Sequence, residues 1–99
     1  MNTTEFVSLL QATNTQGLFT ANFGSGSAAE AAAWVQFTNV THNWNIRRWE
    51  IGNEIYGSWE TSWTHDGTAY MQGDATHDGA NAFCAAMKAV DSTIAVGIV

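Results

Sequence analysis

An amide and a carboxyl side chain stand next to each other at Asn53 and Glu54, directly after a short run of residues typical of a β-strand. A carboxyl group can donate and later accept a proton, and a side-chain amide can donate and accept hydrogen bonds. Tyr56 and Trp59 follow closely and supply flat apolar faces. A carboxyl group at a strand end, beside an amide and aromatic rings, is suited to protonating the leaving oxygen of a sugar.

The residues before this pair predict which way its side chains point. Because side chains alternate along a strand, Trp49 and Ile51 are expected to contact flanking helices. The opposite face then carries Arg48, Glu50, Gly52 and Glu54. Glu50 is expected to be a structural carboxylate paired with an arginine, of which Arg48 is the nearest, because a buried charge needs a partner.

Five tryptophans in 99 residues are unusually many, and their expected roles differ. Tyr56, Trp59 and Trp63 can stack on sugar rings or pack within their own loop, and the sequence leaves both roles open. Trp34 and Trp49 have the spacing of core residues and are expected to be buried.

Composition excludes several classes of protein. Three basic residues against nine acidic ones argue against binding of nucleic acid, which needs clustered Lys and Arg. No apolar run approaches the ~18 residues of a membrane span. The polar residues after Met1 predict no signal peptide. Whether a longer parent protein is cytoplasmic or secreted stays open, and so does the oligomeric state.

No metal ion or cofactor is predicted. The pairs His65-Asp66 and His77-Asp78 are expected to be solvated rather than to bind metal. Cys84 has no partner for an internal disulfide and is expected to be a small buried apolar residue.

Helices and strands are expected to alternate along the chain. The predicted helices cover 2–14, 28–38 and 68–90, the strands cover 18–23, 47–52 and 93–99, and a polar connection (39–45) and an aromatic loop (53–67) join them. Asn2 with Glu5, and Ser27 with Glu30, have the spacing of capping boxes at helix starts.

This order predicts an α/β fold with a parallel sheet and helices on its faces. No linker or repeat divides residues 1–99, but a sheet of three strands has two open edges. A complete (β/α)8 barrel needs about 250 residues, so the chain is expected to be three-eighths of such a barrel.

Several segments resemble one enzyme family. Trp49–Glu54 followed by Tyr56–Glu60 resembles the Asn-Glu motif on the fourth strand of glycoside hydrolase clan A, most closely the α-L-arabinofuranosidases of family 51. Thr20–Val35 resembles the third strand and helix of these enzymes. Met87–Ile94 resembles their approach to the fifth strand, although Ser92 stands where the family commonly has proline. The resemblance covers nearly the whole chain.

The resemblance implies a partial (β/α)8 TIM barrel, roughly strands three to five, from a retaining enzyme acting on arabinose-containing hemicellulose. Glu54 matches the general acid/base, and Asn53 matches the residue that binds the sugar 2-hydroxyl. Asn22, Phe23 and Gly24 match positions that line the sugar site. Tyr56 and Trp59 are further candidates for contact with the substrate, as their aromatic faces suggest.

The resemblance also implies that the nucleophile, a second Glu on the seventh strand, lies outside this chain. Glu50 is about 13 Å from Glu54 along the strand, whereas retaining enzymes hold their two carboxyl groups about 5–5.5 Å apart. Glu60, on the loop, is a weaker candidate. We therefore expect the chain by itself to be inactive. Another clan A activity (xylanase, glucanase or β-xylosidase) and a non-catalytic carbohydrate-binding or assembly module are the alternatives.

Overall fold

A computed structural model describes all residues, 1–99, and confirms an α/β fold with three parallel strands. Its elements in chain order are α1 (Thr3–Thr13), β1 (Leu18–Ala21), α2 (Ala28–Val35), β2 (Arg48–Ile51), α3 (Gly67–Gln72), α4 (Ala80–Val90) and β3 (Ala95–Ile98). Each strand has four residues and is shorter than predicted. None of the helices is long and apolar enough to cross a membrane.

The sheet has the order β1-β2-β3, so β2 is its central strand. The three strands pair in register: Thr20 of β1 lies opposite Glu50 of β2, which lies opposite Gly97 of β3, and the neighbouring residues pair in the same order. Because parallel strands in register have their carboxyl ends at the same end of the sheet, the residues after β1 and after β2 lie close together there.

One face of the sheet is covered by helices. Phe19, Trp49 and Ile51 point into a single core that they share with buried residues of α1, α2 and α4. Trp49 is buried in the core as predicted, whereas Trp34, which lies edge-on to it at 5.2 Å, is only partly buried against the core. Cys84 is only half-buried at the margin of this core.

The opposite face has no helix over it. Leu18 is 55% exposed there, and Glu50, predicted to pair with Arg48, instead accepts a hydrogen bond from Thr20 at 3.4 Å. The predicted arginine pairing was wrong: Arg48 lies two positions before Glu50 on the same strand, whereas Thr20 of β1 is directly opposite Glu50 and donates to it. The face that carries Glu50 is therefore open and polar.

The helix starts follow from local side-chain chemistry. Asn2 and Glu5 form the predicted capping box, with reciprocal bonds of 2.8 and 2.9 Å. At α2 only half of the predicted box forms, as the Ser27 hydroxyl accepts from the Glu30 amide at 3.2 Å. The Asp78 carboxylate satisfies another amide of this first turn from a distant part of the chain.

The second helix differs from prediction at its end. Instead of a polar connection from residue 39, α2 runs into a π-helical segment, Gln36–Thr41. The Thr38 hydroxyl donates to the carbonyl oxygens of Trp34 and Val35, which competes with the helical ladder. The Asn39 side chain pairs with both backbone groups of Ile46 at 2.7 and 2.8 Å and joins this segment to the start of β2.

The single third helix predicted over 68–90 is wrong, because the structure has two helices there. Gly73 adopts φ +67° and forms an isolated bridge with Asp78, which ends α3. A Cβ at Gly79 would overlap the backbone of Met71 and Gln72. The two glycines therefore permit the tight turn between α3 and α4. In a continuous helix, glycine would only lower the stability of the helix.

Candidate functional site

The candidate site is built where β1 and β2 end. The amide of Gly52 donates to the carbonyl oxygen of Ala21 at 3.0 Å and continues the sheet for one residue. Gly52 has φ +79°, and a Cβ there would press on Phe23 and Ile55. The chain can therefore turn sharply out of β2 only with glycine at this position, and the turn places Asn53 and Glu54 beyond the strand end.

Glu54 is exposed and has φ +43°, a left-handed conformation uncommon for a residue with a side chain. Its Oε2 accepts a hydrogen bond of 2.8 Å from the indole Nε1 of Trp59. A turn in which the Gly57 amide donates to the Glu54 carbonyl oxygen at 2.7 Å brings the indole back over the carboxylate.

Asn53 is also held by the returning loop. Its Nδ2 donates to Oε1 of Glu60 at 2.9 Å. Glu60, considered from the sequence as a weak candidate nucleophile, thus has one carboxylate oxygen bound to the neighbouring amide. Sequence reasoning missed this pairing, and no spacing rule for loops would have indicated it.

A small cavity of about 160 Å³ lies beside the two strand ends. Asn22, Asn53 and Glu60 contribute polar groups to its lining, and Phe23 and Ile55 contribute apolar ones. Glu54 is not part of this lining. The cavity therefore joins the predicted positions after β1 with Asn53, while the Glu54 carboxylate lies outside it.

The loop after β1 is folded on itself and on the loop after β2. The side chain of Asn22 makes two hydrogen bonds to Ser25. Its Nδ2 donates to the Ser25 hydroxyl at 3.0 Å, and its Oδ1 accepts from the Ser25 backbone amide at 3.3 Å. A Cβ at Gly24 would overlap the carbonyl oxygen of Thr61. Glycine at this position therefore lets the two loops touch and forms one wall of the cavity.

The aromatic residues of the loop divide into two groups. Trp63 is half-buried and stacks on the His77 ring at 4.6 Å and 8°, close to Phe23. Tyr56 and Trp59 are 63% and 70% exposed, with ring centroids 6.4 Å apart. Trp63 thus packs within the structure, and Tyr56 and Trp59 stay predictions as sugar-contact residues.

The two His-Asp pairs were expected to be solvated, and His65, Asp66 and Asp78 are exposed, but the pairs also form structural contacts. Asp66 caps α3 by accepting from the Ala69 amide at 2.8 Å, and Asp78 accepts from the Ala28 amide at 2.9 Å. The Nδ1 atom of His65 contacts the carbonyl oxygen of Ile55, and that of His77 lies 2.7 Å from the carbonyl oxygen of Asp78. No group of three or more His, Cys, Asp or Glu side chains converges to hold a metal ion.

Tyr70 contacts the ends of the strands next to the candidate site, and its role was not predicted from the sequence. Its buried hydroxyl donates to the carbonyl oxygen of Ile51 at 2.8 Å and accepts from the Val99 amide at 3.4 Å. Burial raises the pKa of this phenol above its ordinary value, so it stays protonated and can donate. Tyr70 thus ties together the ends of β2 and β3.

The fold of the chain matches part of two crystal structures of arabinofuranosidases. The chain superposes with a TM-score of 0.85 on a crystal structure of alpha-L-arabinofuranosidase from Thermotoga maritima in an arabinose complex, at 23% identity, covering 99% of this chain and 22% of that one. A second arabinofuranosidase crystal structure aligns with a TM-score of 0.78 at 22% identity, over 98% of this chain and 22% of the other. The fold is therefore shared with part of the arabinofuranosidases.

Sequence similarity points to the same enzymes. The chain is 32% identical to Probable alpha-L-arabinofuranosidase C of Aspergillus clavatus, over 63% of this chain and 15% of that protein. It is 33% identical to the protein of the same name from Aspergillus flavus, over 59% of this chain and 14% of that protein. The chain thus spans about 15% of the length of these curated relatives, and no family model matches it. The resemblance to arabinofuranosidases predicted from the motifs is confirmed.

Proposed function

We propose that this chain is the acid/base-bearing part of a retaining α-L-arabinofuranosidase acting on arabinose-containing hemicellulose, and that it forms strands three to five of a (β/α)8 barrel. The observation that carries the proposal is the position of Glu54. It follows the central strand at its carboxyl end, with one oxygen bound by Trp59 and with Asn53 beside it. Active sites of such barrels are built at this end of the strands.

The proposed reaction has two steps. In the first, the Glu54 carboxylic acid donates its proton to the glycosidic oxygen as the bond to the anomeric carbon breaks, and a carboxylate on a strand outside this chain attacks that carbon. In the second, the Glu54 carboxylate takes a proton from water, whose oxygen displaces the enzyme carboxylate. Asn53 binds the sugar 2-hydroxyl, and Asn22 lines the same cavity.

The open face of the sheet supports the barrel part of the proposal. Helices cover only the face with Trp49, and the face with Glu50 has no helix over it. The outer strands also carry exposed apolar side chains: Leu18 of β1, on the open face, is 55% exposed, and Ile98 of β3, on the same face as Ile51, is 58% exposed. Further parallel strands on both sides would close the sheet around the open face and turn that face into a barrel interior.

A carbohydrate-binding module is the second candidate, because Tyr56 and Trp59 are exposed on the loop after β2 and can stack on sugars. Such a module would bind glycans without cleaving them, and it needs no carboxyl group at position 54. Within clan A, a xylanase, glucanase or β-xylosidase would use Glu54 in the same role. The role of Glu54 therefore does not distinguish among these activities.

A hybrid enzyme tests the proposed role of Glu54. The chain replaces the matching stretch of the Thermotoga maritima arabinofuranosidase, and hydrolysis of arabinofuranosides is measured with leaving groups of different acidity. Glu54→Gln is expected to lower kcat/KM about 10²–10⁴-fold for poor leaving groups. The loss should be much smaller for dinitrophenyl arabinofuranoside, whose leaving group needs no protonation.

Added azide should restore turnover of the Glu54→Gln hybrid and yield arabinofuranosyl azide, because azide attacks without needing a general base. Glu50→Gln, on the same strand, is the matched control and should show neither effect. An unchanged dependence on the leaving group in Glu54→Gln would contradict the proposal. Glycan binding by the 99-residue chain alone, unchanged in Glu54→Gln, would favour the binding module.

A further inference from the structure

Two adjacent loop residues hold the two adjacent residues of the candidate site. Trp59 donates to Glu54 at 2.8 Å, and Glu60 accepts from Asn53 at 2.9 Å. We name these four side chains the clasp. Two backbone bonds, from the Gly57 amide to Glu54 and from the Glu60 amide to Gly57, bend the loop so that the pairs face each other.

The Trp59 side of the clasp distinguishes the two oxygens of Glu54. An indole nitrogen is a donor only, so the oxygen that it binds cannot at the same time hold the proton of the carboxylic acid toward it. Oε2 is bound by Trp59, whereas Oε1 makes no hydrogen bond within the chain. A neutral carboxyl group accepts hydrogen bonds best at its carbonyl oxygen, so the bond from Trp59 to Oε2 favours the acid form that carries its proton on Oε1.

The Glu60 side of the clasp fixes the orientation of the Asn53 amide. An ionised carboxylate only accepts hydrogen bonds, so the Asn53 atom that faces it must be Nδ2. The amide oxygen of Asn53 then points away from Glu60 and is free to accept from a hydroxyl group. A rotated amide would place its oxygen against the carboxylate.

The Trp59 ring is held by its hydrogen bond to Glu54 and by its close approach to Gly57, and not by burial. It is 70% exposed, it meets Tyr56 edge-on, and it lies so close over Gly57 that a Cβ there would overlap the indole. A ring placed mainly for packing would be covered, as Trp63 is by His77.

We propose that Trp59 and Glu60 are positioning residues, Trp59 selecting the proton-bearing oxygen of Glu54 and Glu60 setting the orientation of the Asn53 amide. This proposal rests on the proposed function, since it assigns Glu54 and Asn53 their roles. Glycine at position 57 is part of the same arrangement, because it leaves room for the indole.

The contacts are tested first in the 99-residue chain by NMR, without any activity measurement. The chain has five tryptophans, and Trp59→Phe identifies the indole N–H signal of Trp59 by its loss. Glu54→Gln and Gly57→Ala are each expected to shift this signal upfield, since the first weakens the acceptor and the second displaces the ring. Trp63→Phe is the matched control and should leave it in place. An unmoved signal in both Glu54→Gln and Gly57→Ala overturns the Trp59 contact.

The consequences for catalysis are tested in the hybrid enzyme. Trp59→Phe is expected to lower kcat about tenfold for poor leaving groups with little change in KM, as loss of one hydrogen bond predicts. Trp59→Ala should match Trp59→Phe. If Trp59→Phe keeps full activity and only Trp59→Ala loses it, the ring stacks on sugar and the positioning role is wrong.

Glu60 has its own measurement. Glu60→Leu should lower kcat/KM about tenfold for the arabinofuranoside but not for its 2-deoxy analogue, and Glu60→Gln, which keeps an acceptor, should restore it. Equal losses on both substrates would mean a purely structural role. If Glu54→Gln itself leaves the leaving-group dependence unchanged, the proposed function fails. If Glu54→Gln behaves as expected and the clasp variants behave as wild type, only the present inference fails.

Discussion

The hydroxyl of Tyr70, on the short helix α3, donates a hydrogen bond of 2.8 Å to the carbonyl oxygen of Ile51, the last residue of the central strand. This carbonyl immediately precedes Gly52, where the chain turns toward Asn53 and Glu54. A helix far along the chain therefore supports the point from which the candidate site begins. The contribution of Tyr70 can be measured as a change in the free energy of unfolding.

Tyr70→Phe is expected to lower the free energy of unfolding by about 1–2 kcal/mol, because it removes a buried hydroxyl from two backbone partners. Urea unfolding followed by circular dichroism measures this loss. Tyr56→Phe, at an exposed position, is the matched control and should change stability by less than about 0.5 kcal/mol. Equal effects of the two substitutions would contradict the assigned role of Tyr70.

Tyr70 also predicts an alkaline dependence of stability. Burial raises the pKa of Tyr70 in the folded chain, whereas in the unfolded chain tyrosine ionises near its ordinary value of about 10. The folded state then binds more protons above pH ~10, so this contribution is complete below that pH and is lost as the pH rises further. Unfolding measured between pH 8 and 11 should show a shallower alkaline decline in Tyr70→Phe than in Tyr56→Phe.

Asp91 predicts the opposite dependence at acid pH. Hydrogen bonds from the side chain and amide of Thr93, together with the Asn39 amide, hold the pKa of this carboxyl below its usual value. The unfolded state therefore binds more protons as the pH falls below about 4, and the contribution of Asp91 is lost as the pH falls through its lowered folded pKa.

Asp91→Asn should accordingly make the acid decline in stability shallower and cost about 0.5 kcal/mol near neutral pH, a small value because the group is partly exposed. Asp66→Asn is the control, since asparagine caps a helix as well as aspartate does. Unfolding at pH 3, 4 and 7 distinguishes the two variants. An acid decline that is identical in both would rule out the assigned role of Asp91.

Gly24 is expected to tolerate no side chain. A Cβ there would overlap the Thr61 carbonyl oxygen, which is backbone and cannot rotate away. Gly24→Ala should therefore separate the two loops and destabilise the chain by about 1–3 kcal/mol. Gly67→Ala, where nothing lies within 4 Å of the new Cβ, should be neutral or slightly stabilising. Parallel thermal unfolding of both variants makes the comparison, and a neutral Gly24→Ala would contradict it.

The chain by itself is expected not to hydrolyse aryl arabinofuranosides. Glu50 is directed to the open face of the strand and Glu60 is bound to Asn53, so neither is placed as a nucleophile opposite Glu54. The measurement is release of nitrophenol by the purified chain at high concentration. Turnover that disappears in Glu54→Gln would show that the chain holds a complete site.

Local sequence patterns determined a large part of the fold. The alternation of Trp49 and Ile51 with Glu50 determined which face of β2 is buried, because side-chain direction along a strand has a period of two. The capping box of Asn2 and Glu5 formed as its spacing predicts, since its bonds join residues three apart. The Asn53-Glu54 pair after the strand could be identified for the same local reason.

Contacts between distant residues depended on the tertiary structure. The turn between α3 and α4 exists because the backbones at Gly73 and Gly79 approach each other, and a helix pattern shows two glycines only as weak points. Asp78 caps a helix 50 positions away, and no spacing rule predicts that bond.

The candidate site likewise has features that local sequence patterns predict and features that depend on contacts between distant residues. The carboxyl and the amide after the central strand were predictable from the sequence, because the β-prone run before Asn53 and the alternation of its side chains are local properties of the chain. The hydrogen bonds of Trp59 to Glu54, of Glu60 with Asn53 and of Tyr70 to Ile51 depend on the folded chain and were not predictable from the sequence. Loop and helix paths depend on what each segment packs against, and that packing exists only once the chain is folded.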